Sequence, residues 1–332
     1  MSGKLTFGYL YDFRNPPQWR RPWEDLYAEI LDVVSWTEEA GFEGAWVPEH
    51  HLADDGYVPS PLIALTAIAA RTKRLKLGSG IALAPLYHPL RFAEDCAVLD
   101  IFSSGRLEIG LAVGYRRREA AAFGVDFAKR GRIFDEWLHI VTRLWAGEEV
   151  NFEGRHFTLV GAKLSPPTLR GRIPLYIGSF TDKAMQRVAR YGDGFIGSGD
   201  LCDLYAAKLQ ELGKDLASAR IRSTDLFLVV AHDCEKAMDE LAPYFHHVNN
   251  TYGEWFNEDQ SVEGLKSMSL DAFKASGILQ IMTPDAAIAM LKAKRKRMPL
   301  EHVMMMMPPG LPPARFVEYA QVFAREVIPA FQ

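Results

Sequence analysis

Short apolar segments alternate with amphipathic ones along the whole of this chain, and that alternation limits its fold more than any other feature. Leu5 to Tyr11 reads as a strand, and Trp23 to Ala40 as a helix stopped by Gly41. Gly44 to Pro48 is followed by a helical pattern from Ser60 to Arg71, with Pro61 in its first turn. Leu75 to Leu83 pairs with Arg91 to Leu99, and Leu107 to Val113 with Arg132 to Trp145. Ile173 to Ile177 then leads to Asp182 to Tyr191, and Gly194 to Ile196 to Leu204 to Leu216. Leu226 to Ala231 with Glu235 to Phe245 makes the seventh pair, and Val303 to Met307 with Ala314 to Val327 the eighth. The strands are apolar enough to be buried on both faces, which argues for a parallel sheet. Eight pairs in 332 residues predict a closed (β/α)₈ TIM barrel, class α/β, rather than an open doubly wound sheet. No shift of composition marks a linker, so residues 1–332 read as one domain. Two stretches break the rhythm, 147–167 and 251–283, and are expected to be insertions on the scaffold. The second is long enough to serve as a lid.

Charge and cysteine usage remove several function classes. The formal net charge is −4, so no basic field gathers phosphate backbones and nucleic acid is not an expected partner. No stretch approaches the ~20 apolar residues of a membrane span. The start, Met1-Ser2-Gly3-Lys4-Leu5, lacks the apolar run of a signal peptide. Cys96, Cys202 and Cys234 are odd in number and far apart, forming neither a disulfide framework nor a zinc pattern. Buried thiols in a reducing cytoplasm are the expectation.

In such barrels the active site lies at the carboxyl ends of the strands. The second strand ends Pro48-Glu49-His50-His51. Neighbouring residues of an extended chain point to opposite sides, so one histidine faces the site and the other is structural. The one facing in is a proton donor or acceptor near neutral pH. The third strand contains Gly78-Ser79-Gly80-Ile81, and glycines inside a strand mark close approach of a ligand to the backbone. The fourth ends Val113-Gly114-Tyr115, where Gly114 and Tyr115 count as cofactor contacts. The arginines that follow, 116–118, read either as a solvated loop or as an anion contact. The fifth strand runs through Gly178, Ser179 and Thr181 into a helix, whose free N–H groups and dipole offer a phosphate seat. Thr181 reads equally as a simple N-cap. The more usual phosphate site, after the last strands, is disfavoured by Pro308 and Pro309, which have no N–H. Metal ligands are too few for a metal site: no His-x-His occurs, His302 starts the eighth strand, and His88 after the third strand and His232 after the seventh are the remaining possible ligands.

Together these segments resemble the luciferase-like family of flavin-dependent oxidoreductases. The resemblance covers nearly the whole chain. It rests on Glu38-Glu39-Ala40-Gly41-Phe42, Glu49-His50-His51, Gly78 to Pro89, Leu99-Asp100 to Gly105-Arg106, Arg130 to Glu136, and Ile177-Gly178 to Gly192-Asp193-Gly194. It implies reduced FMN, or in some relatives a deazaflavin, at the barrel mouth. His50 matches the catalytic histidine. Gly80-Ile81 matches a peptide beneath the flavin ring, often cis, and Gly178, Ser179 and Thr181 match the phosphate segment. Val113 departs from the pattern, because luciferase has a phosphate-binding arginine there, and Arg116 or Arg117 is a candidate replacement. The function implied is a monooxygenase that takes reduced FMN from a separate flavin reductase and oxygenates a small organic substrate. The alternatives are a deazaflavin-dependent reductase or dehydrogenase and a non-catalytic flavin-binding barrel. A homodimer is the family expectation. Tyr244, Phe245, Tyr252, Trp255 and Phe256 are read either as an apolar lid or as local packing of the insertion.

Overall fold

A computed structural model describes residues 4–179, 181–198, 201–259 and 264–332. Phe180 of the phosphate segment, residues 260–263 of the long insertion and the first three residues lie outside these. Strands in chain order are β1 (Thr6–Leu10), β2 (Gly44–Val47), β3 (Lys76–Leu83), β4 (Leu107–Ala112), β5 (Val150–Glu153) and β6 (Thr158–Ala162). They continue as β7 (Leu175–Ile177), β8 (Gly194–Gly197), β9 (Ile221–Thr224), β10 (Leu228–Val230), β11 (Gln280–Met282) and β12 (Leu300–Met306). The helices are α1 (Trp23–Glu39), α2 (Pro61–Arg71), α3 (Pro89–Phe102), α4 (Arg117–Ala122), α5 (Arg130–Trp145) and α6 (Asp182–Tyr191). After them come α7 (Cys202–Glu211), α8 (Cys234–Asp259), α9 (Leu270–Ala275), α10 (Pro284–Arg297) and α11 (Pro313–Val322).

Eight strands close into a parallel barrel in the order β1-β2-β3-β4-β7-β8-β9-β12, with β1 hydrogen bonded to both β2 and β12. Closure explains the apolar strands: β2 is buried at every position, and β12 at all but Glu301. Bulk inside the barrel is balanced by missing side chains. The buried Trp46 indole fills the space beside Gly78, where an added Cβ would lie 2.1 Å from the ring. Trp46 Nε1–H donates to His302 Nε2 at 2.9 Å, and Thr6 Oγ1 lies 2.8 Å from His302 Nδ1. Because the Thr6 hydroxyl donates to the Glu301 carbonyl, it accepts from His302, which fixes that ring as the Nδ1–H tautomer. His302 is therefore a satisfied core histidine near the amino ends of the strands, held neutral by burial and by nearby Arg222.

The seventh barrel strand differs from expectation. It is β9, Ile221–Thr224, and not Leu226 to Ala231. Arg222 of β9 reaches Glu108 of β4 at 3.1 Å, both nearly buried, so a barrel strand is disguised by an internal ion pair. The more apolar run, as β10, pairs in parallel with β11 in a separate two-stranded sheet. Between them α8 continues to Asp259, past the predicted end at Phe245, and α9 follows. Much of 251–283 is thus helix and strand in a small crossover unit. Within 147–167, β5 and β6 form an antiparallel hairpin. Among the described residues no helix is long and apolar enough to cross a membrane.

Replacing Gly78 by alanine must expel the Trp46 ring from its slot. We expect Gly78→Ala to destabilise the fold by about 1–3 kcal/mol, read as a lower midpoint in urea denaturation.

Candidate active site

A cavity of about 300 Å³ opens at the carboxyl ends of the barrel strands. It is lined by His50, Gly80, Ile81, Gly114, Tyr115, Gly178, Ser179 and Thr181, which brings together the expected catalytic histidine and the seven expected cofactor contacts. The Gly80–Ile81 peptide is cis.

The end of β2 is organised by two buried carboxylates. Glu49 accepts the Leu83 N–H at 2.7 Å, the Tyr87 hydroxyl at 2.8 Å and the His51 ring at 2.8 Å. His51 is thereby turned away, and it does not line the cavity. His50, on the other side of the chain, places Nδ1 2.9 Å from Glu119 Oε1. That oxygen also accepts the His51 N–H at 2.8 Å and Arg116 Nη1 at 3.0 Å. Burial alone would raise the Glu119 pKa, yet the bonds from His50 and His51 and the Arg116 charge hold it below the ordinary carboxylate range. An ionised carboxylate only accepts, so His50 carries its proton on Nδ1 and keeps Nε2 as a base. Burial pushes the imidazole pKa below its usual value, and Glu119 opposes that shift without cancelling it.

Glu119 was not anticipated. It lies in α4, a short helix within a stretch read as a charged loop, and only packing brings it to β2. The arginine run divides accordingly. Arg116 is buried in the ion pair with Glu119 and sits 4.0 Å over the Trp255 ring, while Arg117 lies over Phe127 at 4.4 Å. Neither is among the cavity-lining residues, so neither takes the place of the arginine absent at Val113. Arg130 and Arg187 line the cavity instead. Arg187 is held by Asp135 at 2.6 Å and by the Gly131 carbonyl at 3.0 Å, and Arg130 by the Gly114 carbonyl at 3.1 Å. The Ser179 hydroxyl donates to the Thr181 carbonyl at 3.0 Å, and Thr181 caps α6 by accepting the Ala184 N–H at 3.3 Å. The two hydroxyls shape the loop, and the α6 N-terminus and the two guanidiniums supply the positive charge.

The aromatic residues of the long insertion also divide. His50 is in ring contact with Trp255 at 4.7 Å and Tyr252 at 5.7 Å, and Phe256 stacks on Tyr115 at 4.6 Å. Tyr244 packs on Trp19 and Phe245 against Phe227, outside the site. His232 is an exposed partner of Glu326, and among the described residues no group of three His, Cys, Asp or Glu is placed to hold a metal ion. The cavity is a slot with apolar walls, including Ile81, Leu83, Phe134, Ile177 and Ile196, and cationic groups from α5 and α6. That donor set fits a planar apolar ring system carrying a phosphorylated chain.

A family model described as luciferase-like monooxygenase matches residues 5–284, and the chain belongs to that family. It is 30% identical over 227 residues to an F420-dependent glucose-6-phosphate dehydrogenase of Amycolatopsis mediterranei, covering 64% of this chain and 68% of the relative. Identity to 4-hydroxyprotoasukamycin monooxygenase of Streptomyces nodosus is 30% over 246 residues, 69% of this chain and 65% of that protein. The oxygenase component of a flavin-dependent trigonelline monooxygenase of Acinetobacter baylyi is 32% identical over 127 residues, 38% of this chain and 35% of its own length. The fold matches a monooxygenase from Streptomyces bottropensis with a TM-score of 0.82 at 23% identity, over 99% of this chain and 100% of that one. It also matches the oxygenating constituent of a diketocamphane monooxygenase of Pseudomonas putida, solved with FMN, with a TM-score of 0.78 at 16% identity and 99% coverage of both chains.

Removing the charge at Glu119 removes what favours the imidazolium. In an NMR titration His50 should therefore titrate below the ordinary histidine value, and lower still in Glu119→Gln. A rise in that variant would contradict the arrangement.

Proposed function

We propose that this protein is the oxygenase component of a two-component monooxygenase that takes reduced FMN from a separate flavin reductase. The observation that carries the reading is one apolar cavity holding both a buried, neutral His50 and the cationic cluster of Arg130, Arg187 and the α6 N-terminus. Membership of the luciferase-like family and the flavin-dependent monooxygenases among its relatives support it. Reduced FMN, when bound, supplies the two electrons with which one atom of O₂ enters the substrate and the other leaves as water.

The chain's own residues bind, orient and exclude water. Gly80-Ile81 forms the bed for the ring, with Gly114, Tyr115 and Gly178 beside it. Arg130, Arg187 and the turn shaped by Ser179 and Thr181 hold the phosphate. Apolar walls keep water from the reacting centre. His50 accepts a proton at Nε2 while Nδ1–H stays on Glu119, which orients the ring and stabilises its charged form. The Glu119 pairing argues against a binding-only barrel, which has no use for an oriented base. A deazaflavin-dependent dehydrogenase is the second reading, favoured by the F420-dependent relative.

Residues 1–332 are read as one domain, since β1 closes the barrel against β12. Ile63 on α2 and Val98, Ile101 and Phe102 on α3 are exposed and apolar, which supports a homodimer. Three cysteines held as thiols, none joined in a disulfide, favour a reducing cytoplasm.

Anaerobic titration separates the cofactors. Reduced FMN is expected to bind with a micromolar or tighter Kd, and binding of the deazaflavin alone would overturn the monooxygenase reading. Arg187→Met should weaken FMN by about tenfold or more and leave riboflavin, which lacks the phosphate, unchanged. His50→Ala is expected to keep FMN affinity within about twofold while turnover falls about a hundredfold or more.

A further inference from the structure

The wall of the cavity around His50 contains a pair of groups that flavin binding does not use. Tyr57, from the loop after β2, and Tyr252, from α8, both line the cavity, and their hydroxyl oxygens are 2.7 Å apart. One hydroxyl donates to the other, so a single O–H is left to donate onward, strengthened by the bond behind it. Burial raises both phenol pKa values, Tyr252 to about 12, so both stay protonated at neutral pH.

The pair is fixed from behind by Arg14, whose side chain is fully buried. Its Nε donates to Asp55 at 2.7 Å, two residues before Tyr57, and its Nη2 to the Thr251 hydroxyl at 2.8 Å, immediately before Tyr252. The guanidinium also lies 5.1 Å from the centre of the Tyr57 ring. His247, one turn earlier on α8, bonds the same Asp55 oxygen at 2.9 Å. Both tyrosines are thus set in register before any ligand arrives. The His50 ring touches Tyr57 at 4.8 Å and Tyr252 at 5.7 Å, so whatever the pair holds lies next to the base. Tyr115, 5.7 Å from His50, adds a third aromatic face.

We propose that the Tyr57–Tyr252 hydroxyl pair is the substrate-recognition element of this site, and that it selects a planar, conjugated carbonyl compound. The carbonyl oxygen accepts the pair's outward O–H, and the ring lies among Tyr57, Tyr115 and Tyr252. A substrate without an acceptor leaves that hydroxyl unsatisfied in a buried wall, which is how such a site rejects it. The proposal rests on the oxygenase reading only in taking the cavity as the place of a small organic substrate, and cofactor identity does not enter it.

The test uses flavin-free protein and two probes of similar shape, acetophenone and ethylbenzene, titrated by tryptophan fluorescence. Wild type is expected to bind acetophenone about tenfold more tightly. Whichever of Tyr57→Phe and Tyr252→Phe removes the outward O–H should reduce that preference to about twofold or less, and the other should weaken it by loss of the reinforcing bond. Unchanged ethylbenzene affinity and circular dichroism report that the variants are folded. The carbonyl stretch of bound ¹³C-acetophenone should lie at lower wavenumber in wild type than in either variant. A wild type that does not discriminate, a preference that survives in both variants, or binding of neither probe overturns the proposal. FMN titration of the same wild-type sample is independent: failure there removes the flavin reading and leaves the probe result standing.

Discussion

A carboxylate buried as deeply as Glu119 is tolerable only if its lone pairs are taken up, and the barrel mouth is arranged around that requirement. The His50 ring, the His51 N–H and the Arg116 guanidinium all converge on one oxygen. Breaking a buried ionic arrangement of this kind by removing one partner typically costs about 3–5 kcal/mol. The demand for satisfaction therefore fixes chain segments as well as side chains. It ties the end of β2 to α4, and through the Arg116 cation on Trp255 it reaches α8. The histidine tautomer, the anchoring of the His51 backbone and the closeness of the aromatic wall all follow from where that charge sits.

Glu49 complements it on the opposite side of the chain. It binds the backbone of Leu83 and the hydroxyl of Tyr87, so β2 is anchored to the end of β3 next to the cis Gly80–Ile81 peptide. The two carboxylates flank His50 and point to different neighbours. One stabilises the bed of the ring, the other aims the base. The cationic cluster is built separately, from α5 and α6, with Asp135 bracing Arg187.

What could be read from sequence follows a physical division. Strand ends were legible because alternation sends only one of His50 and His51 into the site, glycine marked Gly80 and Gly178, and Ser179 led into a helix start; the family resemblance then singled out His50 and Ile81. Residues delivered by later loops and helices did not. Glu119 followed an arginine run that read either as a solvated loop or as an anion contact, and Arg130 and Arg187 were two among many helical arginines. Tyr57 had no periodic signal, and Arg14 lies just beyond β1. The strand β9 was passed over because Arg222 makes it polar, although Glu108 across the barrel neutralises it. The neighbouring run 226–231 was more apolar and took its place in the count. Helix α8 was ended too early because His246 to Asn250 looks like a polar break, whereas Asn249 is fully buried and Val248 is core.

The unit from β10 through α8 and α9 to β11 lies outside the eightfold repeat, and its two strands pair with each other and not with the barrel. Its contribution to the cavity is Tyr252, with Trp255 behind it. The cationic cluster and the ring bed come from the repeat itself. Divergence of the excursion can therefore redraw the wall against which a substrate lies while the groups that hold the cofactor stay in place. One barrel of this construction can be turned to many substrates by changing a segment on which its closure does not depend.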